Sequence, residues 1–159
     1  MRKINLIVIH CSATYENVSF TEHDLDRYHR QIGFNGAGYH YYIRRNGDIK
    51  RMRPIERIGA HAKGYNSHSI GVCYEGGLDD KGKPKDTRTR WQKYSLRVLI
   101  KLLMQEYPDS EVCGHRDLSP DLNNNGIVEP CEWIKMCPCY DVRAEMESAS
   151  WRRPFARVR

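Results

Sequence analysis

Residues 4–10, INLIVIH, constrain the fold more than any other stretch of the chain. Branching at Cβ stiffens isoleucine and valine and suits them to an extended backbone. The run is apolar almost continuously rather than at alternate positions, which predicts a strand buried on both faces. Such a strand belongs inside a sheet that has helices packed on it. A chain of 159 residues has room for one such compact domain, burying roughly 70% of its unfolded surface.

The remaining segments supply the partners. In SFTEHDLDRYHRQIGF (19–34), Thr21 and Asp24 have nearly the spacing of a capping box, Leu25, Tyr28 and Ile32 share a helical face, and Gly33 offers a stop. YHYYIRRNGDIKRM (39–52) reads as two strands joined through Asn46-Gly47. SIGVCYEGG (69–77) is a further apolar strand ended by paired glycines, and DDKGKPKD (79–86) has the composition of a surface loop. From Trp91 to Tyr107, the residues Leu96, Leu99, Ile100, Leu103 and Tyr107 make one apolar stripe, the mark of an amphipathic helix. SEVCGH (110–115) is a short strand and CYDVRAEMESA (139–149) a last helix. The order β–α–β–β–β–α–β–α predicts an α/β single domain, a central mixed β-sheet flanked by helices. Its boundaries are set at 1–146, leaving 147–159 as a basic C-terminal tail.

Charge and targeting narrow the setting. Lysine and arginine number 26 against 20 acidic residues, a net charge of +6. That suits an anionic partner such as nucleic acid, a membrane surface or a cell-wall polymer, or serves only solubility. No stretch approaches the roughly 20 apolar residues that span a bilayer, so no membrane insertion is expected. MRKINLIVIH has a basic pair and an apolar run, but the run is too short for a signal-peptide core and lacks a small-residue cleavage site. Cytoplasmic synthesis in a reducing compartment is therefore expected, which argues against reading the six cysteines as three disulfides.

Two histidines lie at strand ends, where open α/β sheets build their sites: His10 closes the first strand and His115 a late one. CEWIKMCPCY (131–140) adds three thiols soon after. Zinc binds imidazole nitrogen and thiolate sulfur, and catalytic sites use three protein ligands. His10, His115 and one cysteine from 131–140 would make that set. The spacing C-x5-C-x-C does not match the paired C-x2-C of structural zinc folds, so a local zinc knuckle is not expected. The alternative is ordinary: hydrogen-bonded histidines, and thiols packed as small apolar groups.

Six segments, VIHCSAT, GAGYHYYIRRNGDI, GAHAKGYNSHSIGVCYEGG, DDKGK, GHRD and KMCPCYDV, together resemble the zinc-dependent N-acetylmuramoyl-L-alanine amidases of the phage T7 lysozyme type. They run in the family's order from about Ile4 to Arg143. The resemblance implies an amidase that cleaves between N-acetylmuramic acid and L-alanine in peptidoglycan. It implies one catalytic Zn2+ on His10, His115 and Cys137, and catalytic roles for Tyr39 and Lys135. Lys135 would stabilise the developing oxyanion, while Tyr39 would hydrogen-bond the attacking water or the reacting carbonyl and help move a proton. His61, Lys63 and Asn66 resemble a cleft-lining loop that meets substrate; His40 is placed with them, though it and Arg116 could equally brace the site. Some cytoplasmic relatives carry a glutamate where Cys73 stands here, so proton handling goes to Tyr39 and Glu75 stays a weak candidate. Cys131 and Cys139 match no family role, and Cys11, Cys73 and Cys113 are expected to pack in or beside strands. The setting implied is a phage or prophage endolysin, made in the cytoplasm and freed by a holin, with a wall-recycling amidase as the other possibility. The chain is expected to be a monomer. A non-catalytic wall-binding module or a polymerase regulator is the alternative function, but no nucleic-acid motif accompanies the basic charge.

Residues 121–132, DLNNNGIVEPCE, satisfy the calcium-loop pattern D-x-[DN]-x-[DN]-G-x5-E. Asp121, Asn123, Asn125, the carbonyl of Ile127 and Glu132 would be the oxygen ligands, with Gly126 at the sharp turn. Two asparagines replace carboxylates, and no flanking helices are expected. The alternative is a loop that only turns.

Overall fold

A computed structural model describes residues 1–152. Strands β1 (Leu6–Cys11), β3 (Tyr41–Ile43), β4 (Ile49–Arg51), β5 (Ser69–Tyr74) and β7 (Glu111–Gly114) form one sheet in the order β4-β3-β5-β1-β7. All neighbours run parallel except β3 and β4, so the sheet is mixed. The INLIVIH segment supplies the strand between β5 and β7, and every residue of β1 is buried.

Side chains alternate across a strand, and β1 shows what each face is for. Ile7, Ile9 and Cys11 join Ile70, Val72 and Tyr74 of β5 in the main core. Over that face lie α2 (Arg90–Glu106) and α3 (Val142–Glu147), which contribute Leu96, Leu99, Ile100, Leu103 and Val142. Each of these large side chains contributes about 1.5–3 kcal/mol through burial. Leu6, Val8 and His10 take the opposite face, where α1 (Glu22–Gln31) covers only part of the sheet, packing Leu25 on Tyr42 and Cys73. The rest of that face is left for a site.

Local sequence sets the helix starts. The Thr21 hydroxyl accepts from the Asp24 amide at 3.1 Å and Asp24 Oδ2 from the Thr21 amide at 2.8 Å, the predicted capping box. Thr89 and Gln92 form a second one at α2, which the apolar stripe alone does not predict. Gln92 is fully buried, and its Nε2 donates to the carbonyls of Ile43 and Glu75, so the cap also fastens α2 to the sheet. Gly47, at φ +92°, closes the β3–β4 hairpin.

Several expectations need adjustment. Tyr28, on Leu25's helix, and Ile32, which caps its C-terminus, stay about half exposed, because they border an open cleft rather than the core. The strand carrying the tyrosines begins at Tyr41, so Tyr39 lies on the approach to it. Two-residue strands β2 (Thr14–Tyr15) and β6 (Gly77–Leu78) pair in a small separate ribbon, too short to leave a sequence signal. Of the expected tail, Ala149–Arg152 forms a short helix α4 whose Trp151 packs against the core; residues 153–159 lie outside the described part. Among the described residues, no helix is long and apolar enough to cross a membrane.

Candidate active site

The chain brings His10, His115 and Cys137 together: their ligand atoms lie within 4.8 Å of one another. His10 arrives on β1, His115 directly follows β7, and these strands are parallel neighbours, so their ends coincide. Cys137 comes from the long loop after His115. Its carbonyl accepts from the Arg116 amide at 2.9 Å, and its sulfur accepts from the Cys11 amide at 3.2 Å. Gly114 permits this close approach; a Cβ there would sit 2.7 Å from the Pro138 ring.

His10 is buried and its ring is held in one orientation. Nε2 bonds His61 Nδ1 at 2.9 Å, leaving Nδ1 turned toward Cys137 Sγ at 3.8 Å. His61 Nε2 in turn lies 3.2 Å from the Ser69 hydroxyl. If Ser69 accepts from His61 Nε2–H, then His61 Nδ1 is the acceptor and His10 carries its proton on Nε2. Gly71 makes room for the His61 ring, since a Cβ at that position would lie 2.6 Å from it.

The local electrostatics keep these imidazoles neutral. Burial, then the neighbouring His61, His115 and Lys135, holds His10 well below the ordinary histidine range. Burial lowers His61 to about 3 and, with the Lys135 charge, His115 to about 4. A neutral imidazole is the form that binds a metal. Burial foremost, reinforced by the nearby thiols, lifts the Tyr39 phenol well above its usual value, so it remains a hydrogen-bond donor at neutral pH. Its ring packs 4.9 Å from that of His10.

A cleft of about 610 Å³ opens over the cluster, with Tyr39, His61, Lys63, Asn66, His115, Lys135 and Cys137 in its walls. The structure thus gathers the expected ligands, both expected catalytic residues and three of the four expected substrate residues around one opening. His40 does not join them: it is wholly buried, with Nδ1 accepting from the Gly71 amide and Nε2 against the Arg57 carbonyl and Arg2. Asn66 reaches the wall, but its side-chain oxygen is engaged by the amides of His61 and Ala62. Glu75 is removed from the cleft, its carboxylate taken by Arg44 and by the amides of Phe20 and Arg45. Arg116 is buried and stacks on Trp133, 3.8 Å from the ring centre. Sequence reasoning placed His61 toward substrate and missed its support of His10; a glycine at 71 opposite it was the available signal.

In the 121–132 loop, Asp121 accepts from the amides of Asn125 and Gly126, Asn123 from Asn125, and Asn125 from Ile127. Glu132 is buried, and its carboxylate accepts from the amides of Leu122, Asn123 and Glu129.

Two nitrogens and one sulfur fit a zinc ion. Tetrahedral coordination at 2.0–2.3 Å sets donors about 3.6 Å apart, near the observed His10–Cys137 separation of 3.8 Å. Three donors beside an accessible cleft, in an α/β fold, could hold a metal with one position left open, whereas a structural zinc site would close its fourth position with protein. Comparison with known proteins gives the particular family. The model of the N-acetylmuramoyl-L-alanine amidase family matches residues 1–127. An uncharacterised protein of Haemophilus influenzae is 45% identical over 103 residues, covering 65% of this chain and 89% of its own. The endolysin of Escherichia phage T7 is 35% identical over 137 residues, covering 86% of this chain and 82% of its own. Among solved structures, the endolysin N-acetylmuramoyl-L-alanine amidase LysCS from Clostridium intestinale superposes with a TM-score of 0.69 at 30% identity, covering 91% of this chain and 82% of that one. This chain belongs to the N-acetylmuramoyl-L-alanine amidase family and is an enzyme of that activity. The family match ends before Lys135 and Cys137, whose positions rest on the fold.

Proposed function

We propose that this chain is a zinc-dependent endolysin of a phage or prophage, with one Zn2+ held by His10, His115 and Cys137. The observation that carries the reading is the convergence of these three donors beside a cleft whose wall includes His115 and Cys137. Bound there, zinc supplies Lewis acidity, making a water nucleophilic near neutral pH and polarising the scissile amide. The chain's own residues do the rest. Lys135 is exposed in the cleft wall and offers a positive charge to the oxyanion that develops when the amide carbonyl is attacked. Tyr39 keeps its proton and donates a hydrogen bond to a reacting oxygen. His61 fixes the donor atom of His10. Lys63, exposed at the rim, faces the stem peptide and can pair with its carboxylates. Asn66 acts chiefly by shaping that loop.

The completeness of the donor set weighs against a non-catalytic wall-binding module or a polymerase regulator. The endolysin setting is supported by relatives that are themselves phage endolysins; in this reading the chain is made in the cytoplasm, is released by a holin and acts on the wall as a monomer. Calcium in the 121–132 loop has no support beyond the residue pattern: the loop is already closed by protein hydrogen bonds, and an ion would have to draw Glu132 from three amides. The experiment is expression in a bacterium with and without a co-expressed holin, alongside metal analysis of the purified protein. Lysis that needs both the holin and Cys137, with one zinc per chain and no calcium, is the expected result. Lysis by Cys137→Ser at the wild-type rate would overturn the reading.

A further inference from the structure

All six cysteines are free thiols, and two that take no part in the chemistry above face each other. Cys11 Sγ and Cys139 Sγ lie 3.8 Å apart although 128 residues separate them in sequence. We propose that Cys11 and Cys139 are a disulfide-forming pair, and that the bond clamps the loop carrying Cys137 onto β1.

The geometry needs little change. A disulfide closes to about 2.05 Å, so the sulfurs must approach by less than 2 Å. Both partners are already held. Cys11 ends a fully buried strand, and the Cys139 backbone N–H donates a hydrogen bond to the Met136 carbonyl at 2.7 Å. The preceding Pro138 carbonyl accepts from the Tyr74 hydroxyl at 2.6 Å. Cys139 also adopts φ +68°, a left-handed conformation uncommon outside glycine, which the surrounding contacts maintain. The placement is consequential: Cys11 follows the ligand His10, and Cys139 is two residues beyond the ligand Cys137. One bond would therefore join the segments bearing two of the three metal ligands.

Access dictates the order of the chemistry. Cys139 is half-buried and Cys11 is 4% exposed, so an oxidant carrying a disulfide meets Cys139 first. The Cys139 sulfur attacks one sulfur of that disulfide, breaking its S–S bond and releasing half of it as a thiol. The Cys11 sulfur then attacks Cys139 in the mixed disulfide and releases the other half as a second thiol. Two protein thiols lose two protons and two electrons, and the two released thiols carry them away. Cys137 is the neighbouring competitor, and zinc coordination would withhold its sulfur. If the endolysin reading holds, the pair stays reduced in the cytoplasm and closes after release into an oxidising compartment; the bond itself does not depend on that reading.

The test uses the full-length, zinc-loaded protein incubated for hours with oxidised glutathione. It is then alkylated in denaturant, digested and mapped by mass spectrometry. The expected result is a Cys11–Cys139 cross-linked peptide with Cys137 recovered as the alkylated thiol. Tm should rise by about 10 °C, as expected for a closed loop of more than 100 residues, and reductant should reverse the rise. Cys139→Ser and Cys139→Ala should show no rise while hydrolysing walls like the reduced wild type. Recovery of both Cys11 and Cys139 as alkylated thiols, a cross-link to Cys137, or an unchanged Tm in the cross-linked protein would overturn the proposal. The mass map on wild-type protein is blind to wall hydrolysis and needs no variant to fold, so it fails independently of the amidase reading.

Discussion

The two faces of the sheet use the same strands for opposite ends. On β1 and β5, Ile7, Ile9, Ile70 and Val72 meet α2, and that face is apolar and sealed. One residue away in each strand, Val8, His10, Gly71 and Cys73 look the other way, toward imidazoles, a tyrosine and an open cleft. Because a strand alternates with period two, neighbouring residues can serve stability and chemistry with little interference. The sealed face holds the frame; the other carries buried and partly buried imidazoles, polar groups that an apolar core would exclude unless they were hydrogen-bonded.

That division can be broken from either side. Lys135→Ala should lower kcat by about 10²–10³ with KM little changed, as for loss of one group stabilising an oxyanion, and should leave Tm where it was. Steady-state hydrolysis of a muramoyl-peptide substrate reads both constants; a KM effect alone would make Lys135 a binding residue. On the sealed face, Ile100→Ala should cost about 2–5 kcal/mol of unfolding free energy in urea titration, while the turnover of the remaining folded protein stays normal. Loss of turnover in fully folded Ile100→Ala protein would mean the two faces are coupled.

A smaller effect belongs to the support beneath His10, the proposed metal ligand. His61→Phe keeps a ring against Gly71 but cannot accept the His10 proton. Zinc affinity should fall by about 10–100-fold, the usual cost of losing a hydrogen bond to a metal-bound histidine, as measured by competition with a chromogenic chelator. A further effect is the dependence of stability on pH. His40, His61 and His115 are pushed down to about 4, 3 and 4, whereas the unfolded chain takes up those protons near 6.5. Between pH 6.5 and about 4 the unfolded state therefore binds more protons, and stability must fall as pH falls. The urea midpoint of metal-free protein should drop steadily from pH 7 to 4; a flat profile would contradict neutral imidazoles at these three positions.

Much of the frame was legible because its signals are local. The β1 run, the Thr21–Asp24 cap, the Asn46-Gly47 hairpin and the stripe on α2 each depend on residues a few positions apart. The Thr89–Gln92 cap is equally local, but its polar signal lies beside the much stronger apolar stripe of α2. The site was legible as a set of residues through the family resemblance, and its roles were legible only in part. His61, Asn66 and Glu75 are polar groups whose partners are set by the fold: His10 is 51 residues from His61 in sequence, and Phe20 is 55 from Glu75. The meeting of Cys11 and Cys139 likewise has no trace in the spacing of the cysteines. Strand alternation could have told which face His10 takes, but not what would stand behind it.

The most direct test of the account is hydrolysis of purified peptidoglycan by zinc-loaded protein, by chelated metal-free protein and by Cys137→Ser, scoring newly freed L-alanine amino groups and new reducing sugar ends. The account predicts amino-group release that needs both zinc and Cys137, falling by about 10³-fold or more without either, consistent with the several kcal/mol a catalytic metal supplies, and no new reducing ends. Release that persists in the metal-free protein and in Cys137→Ser would contradict it.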